Sequence, residues 1–501
     1  MSGNLRDVPD FVRERPEELL VTGVPAPIVA RALIGSPRSP TILLAASLRW
    51  PIAARLGMAF AALGCRVEVV CPPGHPATKA AAIDRIHGYS QLRPLETLRS
   101  AIVACEPDLV VPCDDNAALQ LCALHTEVCR IGASGNRVRS RIVESLGVPD
   151  AYVRVAQRGP MAALATELGV RTPATCVITT RGDLQHWLER YGFPAVLKLD
   201  ATWGGQGVVI VHSYAQACRA FAMMRSRPPF LRSLARAILD RDPHPLLRVA
   251  SRHRPSITLQ QFIEGVPANR AVACWHGRVV AGTSVEAIRT QHETGPPTVV
   301  RIVHKPEMAS AAERLIRSLG VSGLWGFDFI VETRTGDAYL IEINPRATPI
   351  CHFAIGAERS LPLALYSELT ARPPRALPVA IVAQVIAMFP GEWQRDSTSP
   401  YLRVAYHDVP WHEAQLVRDG IDGPWAERGL AARLWAHRRR RAPLARAPCE
   451  GTSLPASGTH RGARQEPSVR DDAALGSGEA AQAVGDRADA RIGAAAADRP
   501  H

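Results

Sequence analysis

The sequence predicts an α/β protein that begins with an open parallel sheet and continues into lobes of mixed helices and strands. Short apolar runs alternate with helical patterns over residues 40–150, which is typical of a parallel sheet. Beyond residue 150 the runs are linked by turns that contain glycine, which is typical of hairpins. The 501-residue chain is 47 % hydrophobic and 21 % charged, so it can bury more than one core.

The first part of the chain predicts three buried strands separated by helices. The predicted elements are strand 41–47, an Ala-rich helix ending near 63, strand 66–71, strand 109–113 and helix 116–126. No G-x-G-x-x-G motif accompanies them, so a dinucleotide site is not expected. Asp114 and Asp115 follow the third strand. They either face an entering substrate or cap the next helix, and the cap is at least as good an interpretation.

The second part predicts two lobes and a closing element. Its predicted elements are helix 150–168, strand 174–179, helix 182–191, strands 195–200, 208–212, 257–263, 271–276 and 278–285, helix 306–319, strands 326–332 and 338–344, and a helix over 359–371. The domains that follow are 1–150, a Rossmann-like sheet domain; 151–226, a small lobe; 227–255, a Pro- and Arg-rich insertion; 256–375, a large lobe; 376–440, a closing element; and 441–501, a tail whose composition predicts disorder.

The composition argues against a membrane protein, a secreted protein and a nucleic-acid-binding protein. No run approaches the ~20 apolar residues of a membrane helix, and the first residues carry no apolar signal region. The 11 cysteines form no C-x-x-C pair, so we expect free thiols in a reducing cytoplasm. The formal net charge is +12, but the arginines are scattered among acidic residues. A coding bias explains this better than a nucleic-acid partner, which is not expected.

Only three lysines occur, at 79, 198 and 305, so each raises the question of why arginine would not serve there. Lys198 stands inside the predicted strand 195–200, where alternation places it opposite the apolar Leu197. The following loop, Trp203 to Gly207, contains three glycines that let backbone N–H groups approach a phosphate. A phosphate lid and an ordinary Gly-rich turn explain this pattern equally well.

A second constellation lies in the hairpin formed by strands 326–332 and 338–344. A turn centred near Thr335 places Asp328 opposite Glu342, and Asn344 shares their face. Like charges facing each other destabilise a sheet, so a cation is expected between them. Oxygen ligands of this kind select Mg²⁺ or Mn²⁺. The alternative, a solvated acidic edge, fits poorly because the neighbouring residues are large and apolar.

These pieces together resemble the ATP-grasp superfamily. Lys198, the glycine loop, the GFDFIV strand and the EINPR segment at 342–346 occur in the family's order, and the resemblance spans roughly residues 40–370. The chain is most similar to the biotin carboxylase and carbamoyl-phosphate synthase branch. The resemblance implies an ATP-grasp fold with an N-terminal pre-grasp domain. It also implies an ATP- and Mg²⁺-dependent (or Mn²⁺-dependent) ligase that activates a small carboxylate as an acyl phosphate and couples it to an amine.

The resemblance also implies roles for individual residues. Arg346 and Lys198 would be catalytic. The nucleotide would be held by Arg158, Lys198, Gly204, Gly205, Gly207, Gln260, Gln261, Phe262, Ile263 and, at the ribose, Glu264, and the metal by Asp328, Glu342 and Asn344. Relatives by resemblance are often dimers, so a homodimer is an expectation too.

Two departures from the family pattern keep alternatives open. Gln157-Arg158 stands where the family has an Asp-Lys pair, and the hinge reads Gln260-Gln261 where an acidic residue is common. Arg158 could still neutralise phosphate, but as a planar fork and not as a point charge. A non-catalytic ATP-binding module is therefore one alternative function. The net charge of +12 motivates the other, a nucleic-acid-associated basic protein.

Overall fold

The computed structural model describes residues 39–131, 135–200, 202, 207–226, 255–356, 359–370, 372–377 and 379–422. Nearly all of the predicted insertion 227–255, the whole tail 441–501, and Gly204 and Gly205 lie outside the described residues. None of the helices in these ranges is long and apolar enough to cross a membrane.

The N-terminal part is a four-stranded sheet whose order is β3-β2-β1-β4 and whose paired strands are all parallel. Its strands are β1 (Thr41–Ala45), β2 (Arg66–Cys71), β3 (Arg85–Gly88) and β4 (Leu109–Pro112). Its helices are α1 (Ile52–Ala62), α2 (Pro94–Cys105), α3 (Asp115–Ile131), α4 (Asn136–Leu146) and α5 (Pro149–Val155). The fold class is therefore α/β, as predicted. Strand β3 escaped prediction because Arg85-Ile86-His87-Gly88 is a polar edge strand without an apolar run.

A four-stranded antiparallel sheet of order β5-β8-β6-β7 follows, and we call it the small sheet. It contains β5 (Thr175–Ile178), β6 (Ala195–Leu199), β7 (Val208–Val211) and β8 (Ile257–Gln261). The helices of this part are α6 (Arg158–Glu167), α7 (Arg181–Tyr191) and α8 (Tyr214–Arg225). Thr180 and Asp183 form a capping box that starts α7, which accounts for its sharp beginning.

The predicted continuous helix 150–168 is wrong, because the chain is extended at Gln157 and a new helix, α6, starts at Arg158. Pro160 explains the break. A proline inside a continuous helix would remove the hydrogen bond to the carbonyl four residues earlier, but it is tolerated in a first turn. The break puts Arg158 at the start of α6.

The large sheet has seven strands in the order β13-β12-β9-β10-β11-β14-β15. They are β9 (Gly265–Trp275), β10 (Arg278–Thr290), β11 (Pro297–Val303), β12 (Gly323–Glu332), β13 (Ala338–Asn344), β14 (Val385–Ala387) and β15 (Tyr406–His407). The remaining helices are α9 (Pro306–Leu319), α10 (Leu361–Leu369), α11 (Gly391–Arg395), α12 (Tyr401–Val404) and α13 (Ala414–Asp422). Strands β9 and β10 are much longer than the predicted 271–276 and 278–285.

Two hydrophobic cores hold the parallel sheet and the large sheet together. Leu43 packs in one core with Trp325 and Phe327, and its neighbour Leu44 packs in the other core with Leu324. This division follows from strand alternation, which sends consecutive side chains to opposite faces. A third core lies under the small sheet and includes Leu197. Strand β12, next to the edge strand β13 of the large sheet, thus packs against both cores.

Candidate functional site

The two acidic residues of the β12–β13 hairpin face each other, because Asp328 pairs with Glu342. The prediction of this pair is confirmed. Next to the turn, however, the strands are one residue out of the predicted register, with Val331 opposite Ala338. A bulge beside Asp328 restores the register at the acidic pair.

Two asparagine amides hold the Asp328 carboxylate. Asn344 Nδ2 donates to Asp328 Oδ2 at 2.8 Å, and Asn269 donates to Asp328 Oδ1. Asn269 lies directly opposite Asp328 on β9. Sequence reasoning missed Asn269 because the predicted strand began at 271, after this residue. Extending the polar–apolar alternation backwards along β9 would have found it.

The surroundings of Asp328 suit a cation. Burial and the neighbouring Glu342 raise the pKa of Asp328 to about 6, although the two amides and Arg346 act in the opposite direction. The Oδ1 atom of Asn269 is buried and has no hydrogen-bond partner within the described residues. Carboxylate and amide oxygens are the donors that Mg²⁺ takes, so these side chains fit such an ion.

Lys198 lies on β6 of the small sheet, on the face opposite the core residue Leu197, as alternation predicted. Its side chain is buried, with 6 % of the residue exposed. Burial and the nearby Arg158 lower the pKa of Lys198 to about 8, while Glu342 and Asp328 act to raise it. Across the described ranges, no hydrogen bond or ion pair engages its ammonium group. A buried cation of this kind is expected to serve an anionic ligand.

Arg158 connects the small sheet to the acidic pair. Its Nη1 atom donates to Asp200 Oδ1 and to the Leu199 carbonyl, both at 3.1 Å. Its Nη2 atom donates to Glu342 Oε1 at 2.9 Å. The two carboxylates raise the pKa of Arg158 against the effect of burial, so the side chain is a permanent cation. Two positively charged side chains, from Arg158 and Lys198, therefore lie close to the acidic pair.

Arg346 follows β13 and is held on three sides. Its Nε atom donates to Asp115 Oδ2 at 2.9 Å, and its Nη2 atom donates to Asn344 Oδ1 at 3.0 Å. Its guanidinium lies 4.8 Å from the centre of the Trp50 ring. Asp115 thus pairs with Arg346, whereas Asp114 accepts from Ala117 N at 2.8 Å and caps α3, as the alternative interpretation had it.

The predicted adenine-reading segment joins the small sheet to the large sheet. Gln260 and Gln261 end β8, and Phe262, Ile263 and Glu264 lead into β9. The Gln260 side chain is buried and donates to Thr175 Oγ1 at 3.0 Å, whereas Glu264 is exposed. The structure brings Gln260 and Lys198 onto one face of the small sheet, since Val196 pairs with Gln260 and Lys198 pairs with Thr258.

Only the last glycine of the predicted phosphate lid falls within the described residues. Gly207 has a φ of +77°, and its carbonyl accepts from Leu199 N at 2.9 Å. The positive φ explains why glycine stands where the chain enters β7. The predicted roles of Gly204 and Gly205 concern residues outside the described ranges.

Comparison with known proteins shows that this part of the chain is similar to a known domain family. Residues 163–349 match the profile of the ATP-grasp domain. The carbamoyl phosphate synthase large chain of Myxococcus xanthus is 28 % identical over 208 residues, which are 40 % of this chain and 17 % of that protein. Acetyl-CoA carboxylase 2 of Oryza sativa is 24 % identical over 225 residues, 43 % of this chain and 9 % of that protein. The chain thus spans a fifth or less of these curated relatives.

Solved structures of low sequence identity are also similar. Carboxyaminoimidazole ribonucleotide synthase from Aspergillus clavatus, complexed with ATP, has a TM-score of 0.49 at 15 % identity, covering 68 % of this chain and 79 % of that one. Biotin carboxylase from Campylobacter jejuni has a TM-score of 0.47 at 15 % identity, covering 68 % and 72 %.

Proposed function

We propose, from the premise that residues 163–349 form an ATP-grasp domain, that this chain is an ATP- and Mg²⁺-dependent ligase. It would activate a small carboxylate and join it to an amine or a similar nucleophile. The observation that carries the proposal is the placement of the buried Lys198 ammonium beside the opposed carboxylates of Asp328 and Glu342. Such a set of opposite charges matches the metal ion and phosphates of a nucleoside triphosphate.

The proposed nucleotide site is formed by residues of both sheets and of the segment that joins them. Lys198 and Arg158 would bind the phosphates from the side of the small sheet. The backbone of residues 260–263 would bind adenine, and Glu264 would bind the ribose. Asp328, Glu342 and Asn344 would hold Mg²⁺, whose charge offsets the negative charge that develops on the transferred phosphoryl group. Asn269 would orient Asp328 through its amide donor.

The proposed reaction has two steps. A carboxylate oxygen of the substrate attacks the γ-phosphorus, and the bond to the β-phosphate oxygen breaks to give an acyl phosphate and ADP. The amine then attacks the acyl carbon, and inorganic phosphate leaves with the electron pair of the broken C–O bond. Arg346, a cation fixed by Asp115 and Asn344, would steady the charge on the acyl phosphate.

The setting in which this enzyme works is also a proposal. We propose a cytoplasmic location, which is supported by the ten described cysteines being free thiols. ATP and a small carboxylate are the proposed partners, and a homodimer is the proposed assembly. A nucleic-acid partner is not part of the proposal.

Glu342→Gln tests the proposal directly. ADP release by the purified chain is measured with Mg·ATP across a panel of small carboxylates and amines. We expect one combination to support turnover, and Glu342→Gln to lower that turnover at least a hundredfold without loss of fold. Glu332→Gln, on the same hairpin but beyond the bulge, is the matched control and should keep wild-type turnover. Full activity of Glu342→Gln would refute the metal site.

The Arg158–Glu342 ion pair favours one second candidate, a non-catalytic ATP-binding module. Arg158 forms an ion pair with Glu342, one of the two carboxylates proposed to bind the metal. The ATP-grasp superfamily, which this chain resembles, has lysine at the position of Arg158. Such a module would bind Mg·ATP and release no ADP with any carboxylate in the panel. Calorimetry together with the ADP assay on the same preparation separates the two functions.

A further inference from the structure

A second cluster of chemically active side chains lies in the parallel sheet, outside the proposed ligase site. Glu68 of β2, His87 of β3 and Cys105 at the end of α2 each offer one donor atom, and these atoms all lie within 4.8 Å of one another. Because β2 and β3 are parallel and Val70 pairs with His87, Glu68 and His87 extend from the same face of the sheet.

Glu68 is an unusual residue for this position. Its side chain is completely buried in a strand whose other buried residues are apolar. One carboxylate oxygen contacts Arg66 at 2.6 Å, and the other lies 2.7 Å from His87 Nε2. A buried carboxylate is retained only where its charge is used or compensated. Arg66 and His87 compensate the charge in this structure, so Glu68 can serve as a ligand only where the contact with His87 opens.

We propose that Glu68, His87 and Cys105 form a binding site for a divalent transition metal of the Zn²⁺ class. One oxygen, one imidazole nitrogen and one thiolate sulfur are the donor types that Zn²⁺ takes in proteins, and they differ from the all-oxygen set at Asp328. Zinc bonds of about 2.0–2.3 Å place tetrahedral ligands roughly 3.5 Å apart. The Glu68–His87 contact therefore has to open by about 1 Å to admit the ion.

The charges and protons of the site balance. On metal binding the Cys105 thiol would lose its proton to the buffer, and His87 would bind the ion through an unprotonated Nε2, with its ring proton on Nδ1. The thiolate and the Glu68 carboxylate then neutralise the two charges of Zn²⁺. Burial and the neighbouring Glu68 carboxylate raise the pKa of the Cys105 thiol to about 12, whereas Arg66 and Arg85 act to lower it.

The geometry also gives the ion a route and an open coordination position. His87 belongs to the edge strand of the sheet, and 14 % of its side chain is exposed. Three protein ligands leave the fourth tetrahedral position to water. The bound ion would fasten the edge strand β3 to β2 and to the end of α2.

Metal retention by the full chain tests this site. The protein is loaded with Zn²⁺ in excess Mg²⁺, dialysed, and its zinc content measured; Co²⁺ loading then reports a thiolate-to-cobalt absorption band. The background is Glu342→Gln, so that the proposed ligase site contributes little. We expect about one Zn²⁺ per chain, and at least tenfold weaker binding in Cys105→Ser and in His87→Gln.

Cys122→Ser is the matched control, because Cys122 is another buried thiol of this domain whose pKa is raised to about 12. It should retain the ion and the cobalt band. Thermal melting adds an independent readout, since Zn²⁺ should raise the melting temperature of the wild type and not that of His87→Gln. His87→Gln keeps the test decisive if Cys105→Ser fails to fold. Equal zinc content in the Glu342→Gln chain with and without His87→Gln, or no zinc in either, would overturn the proposal.

Discussion

Arg158 at the start of α6 donates to Glu342 on β13 at 2.9 Å, although 184 positions separate the two residues in the chain. The same guanidinium holds Asp200, which follows β6. One buried cation therefore ties the end of a small-sheet strand to the acidic pair of the large sheet. Any change in the charge of this group alters both the stability of the fold and the electrostatics around the proposed metal ligands.

Arg158→Ala should destabilise the protein by about 3 kcal/mol, because it leaves the buried Asp200 carboxylate without its partner. Burial already raises the pKa of Asp200, and Arg158 is the main group that opposes this effect. The double variant Arg158→Ala/Asp200→Asn should recover much of the loss. The free energy of unfolding in urea measures both effects. Equal losses in the single and double variants would show that the ion pair with Asp200 is not the cause.

Asp328→Asn should stabilise the fold at neutral pH while it removes a proposed metal ligand. The pKa of Asp328 is about 6 in the folded chain against an ordinary value of 3.8, so the folded state resists its ionisation. The higher affinity of the folded state for this proton favours folding below pH 4. That contribution is lost as the pH rises through 6, so the ionised carboxylate lowers the free energy of unfolding by up to about 3 kcal/mol at pH 7. We expect a gain of roughly 1–3 kcal/mol at pH 7.5 that disappears near pH 4.

The control for this prediction is Asp337→Asn, which lies just after the turn of the same hairpin, where its half-exposed carboxylate pairs with Arg171 at the surface. It should leave the free energy of unfolding within about 0.5 kcal/mol of the wild type. Chemical denaturation at several pH values gives the comparison. A loss of stability in Asp328→Asn at pH 7.5 would mean that the hydrogen bonds from Asn269 and Asn344 outweigh the unfavourable charge of the partly buried carboxylate.

The acidic pair and Lys198 could be predicted because their positions depend on local rules. Alternation along one strand places Lys198, and a short turn determines which residues face each other across a hairpin. Even there, the bulge beside Asp328 was invisible, since the sequence shows the length of a hairpin and not where one strand takes an extra residue.

The contacts that complete the site could not be predicted, because they join distant segments. Arg346 meets Asp115 across 231 positions, and Asn269 meets Asp328 across 59. Such pairs depend on how two sheets share their cores, and no local pattern encodes that arrangement. The start of α6 is different, since Pro160 marked it in the sequence, yet helix 150–168 was predicted as continuous and the break at Gln157 was missed.

Nucleotide binding should show a bell-shaped pH dependence. Metal binding requires ionised Asp328, so the affinity for Mg·ATP should rise as the pH increases through about 6. Attraction of the phosphates requires protonated Lys198, so the affinity should fall as the pH increases through about 8. Calorimetry between pH 5 and pH 9 measures the profile. Lys198→Met should remove the alkaline limb, and an unchanged alkaline limb in that variant would exclude Lys198 as its source.

Lys198→Arg should weaken ATP binding at least tenfold although it keeps the positive charge. The ammonium is a compact point charge in a buried position, whereas a guanidinium is larger, planar and unable to lose its proton. Lys305→Arg is the matched control, because Lys305 precedes α9 on the large lobe, and it should bind ATP as the wild type does. Lys198→Met separates charge from volume. It removes a cation whose pKa is lowered by burial, so it should hold or raise the melting temperature at pH 7 and still weaken ATP binding at least tenfold. Wild-type affinity in Lys198→Arg would show that the scarcity of lysine in this chain marks no functional demand at position 198.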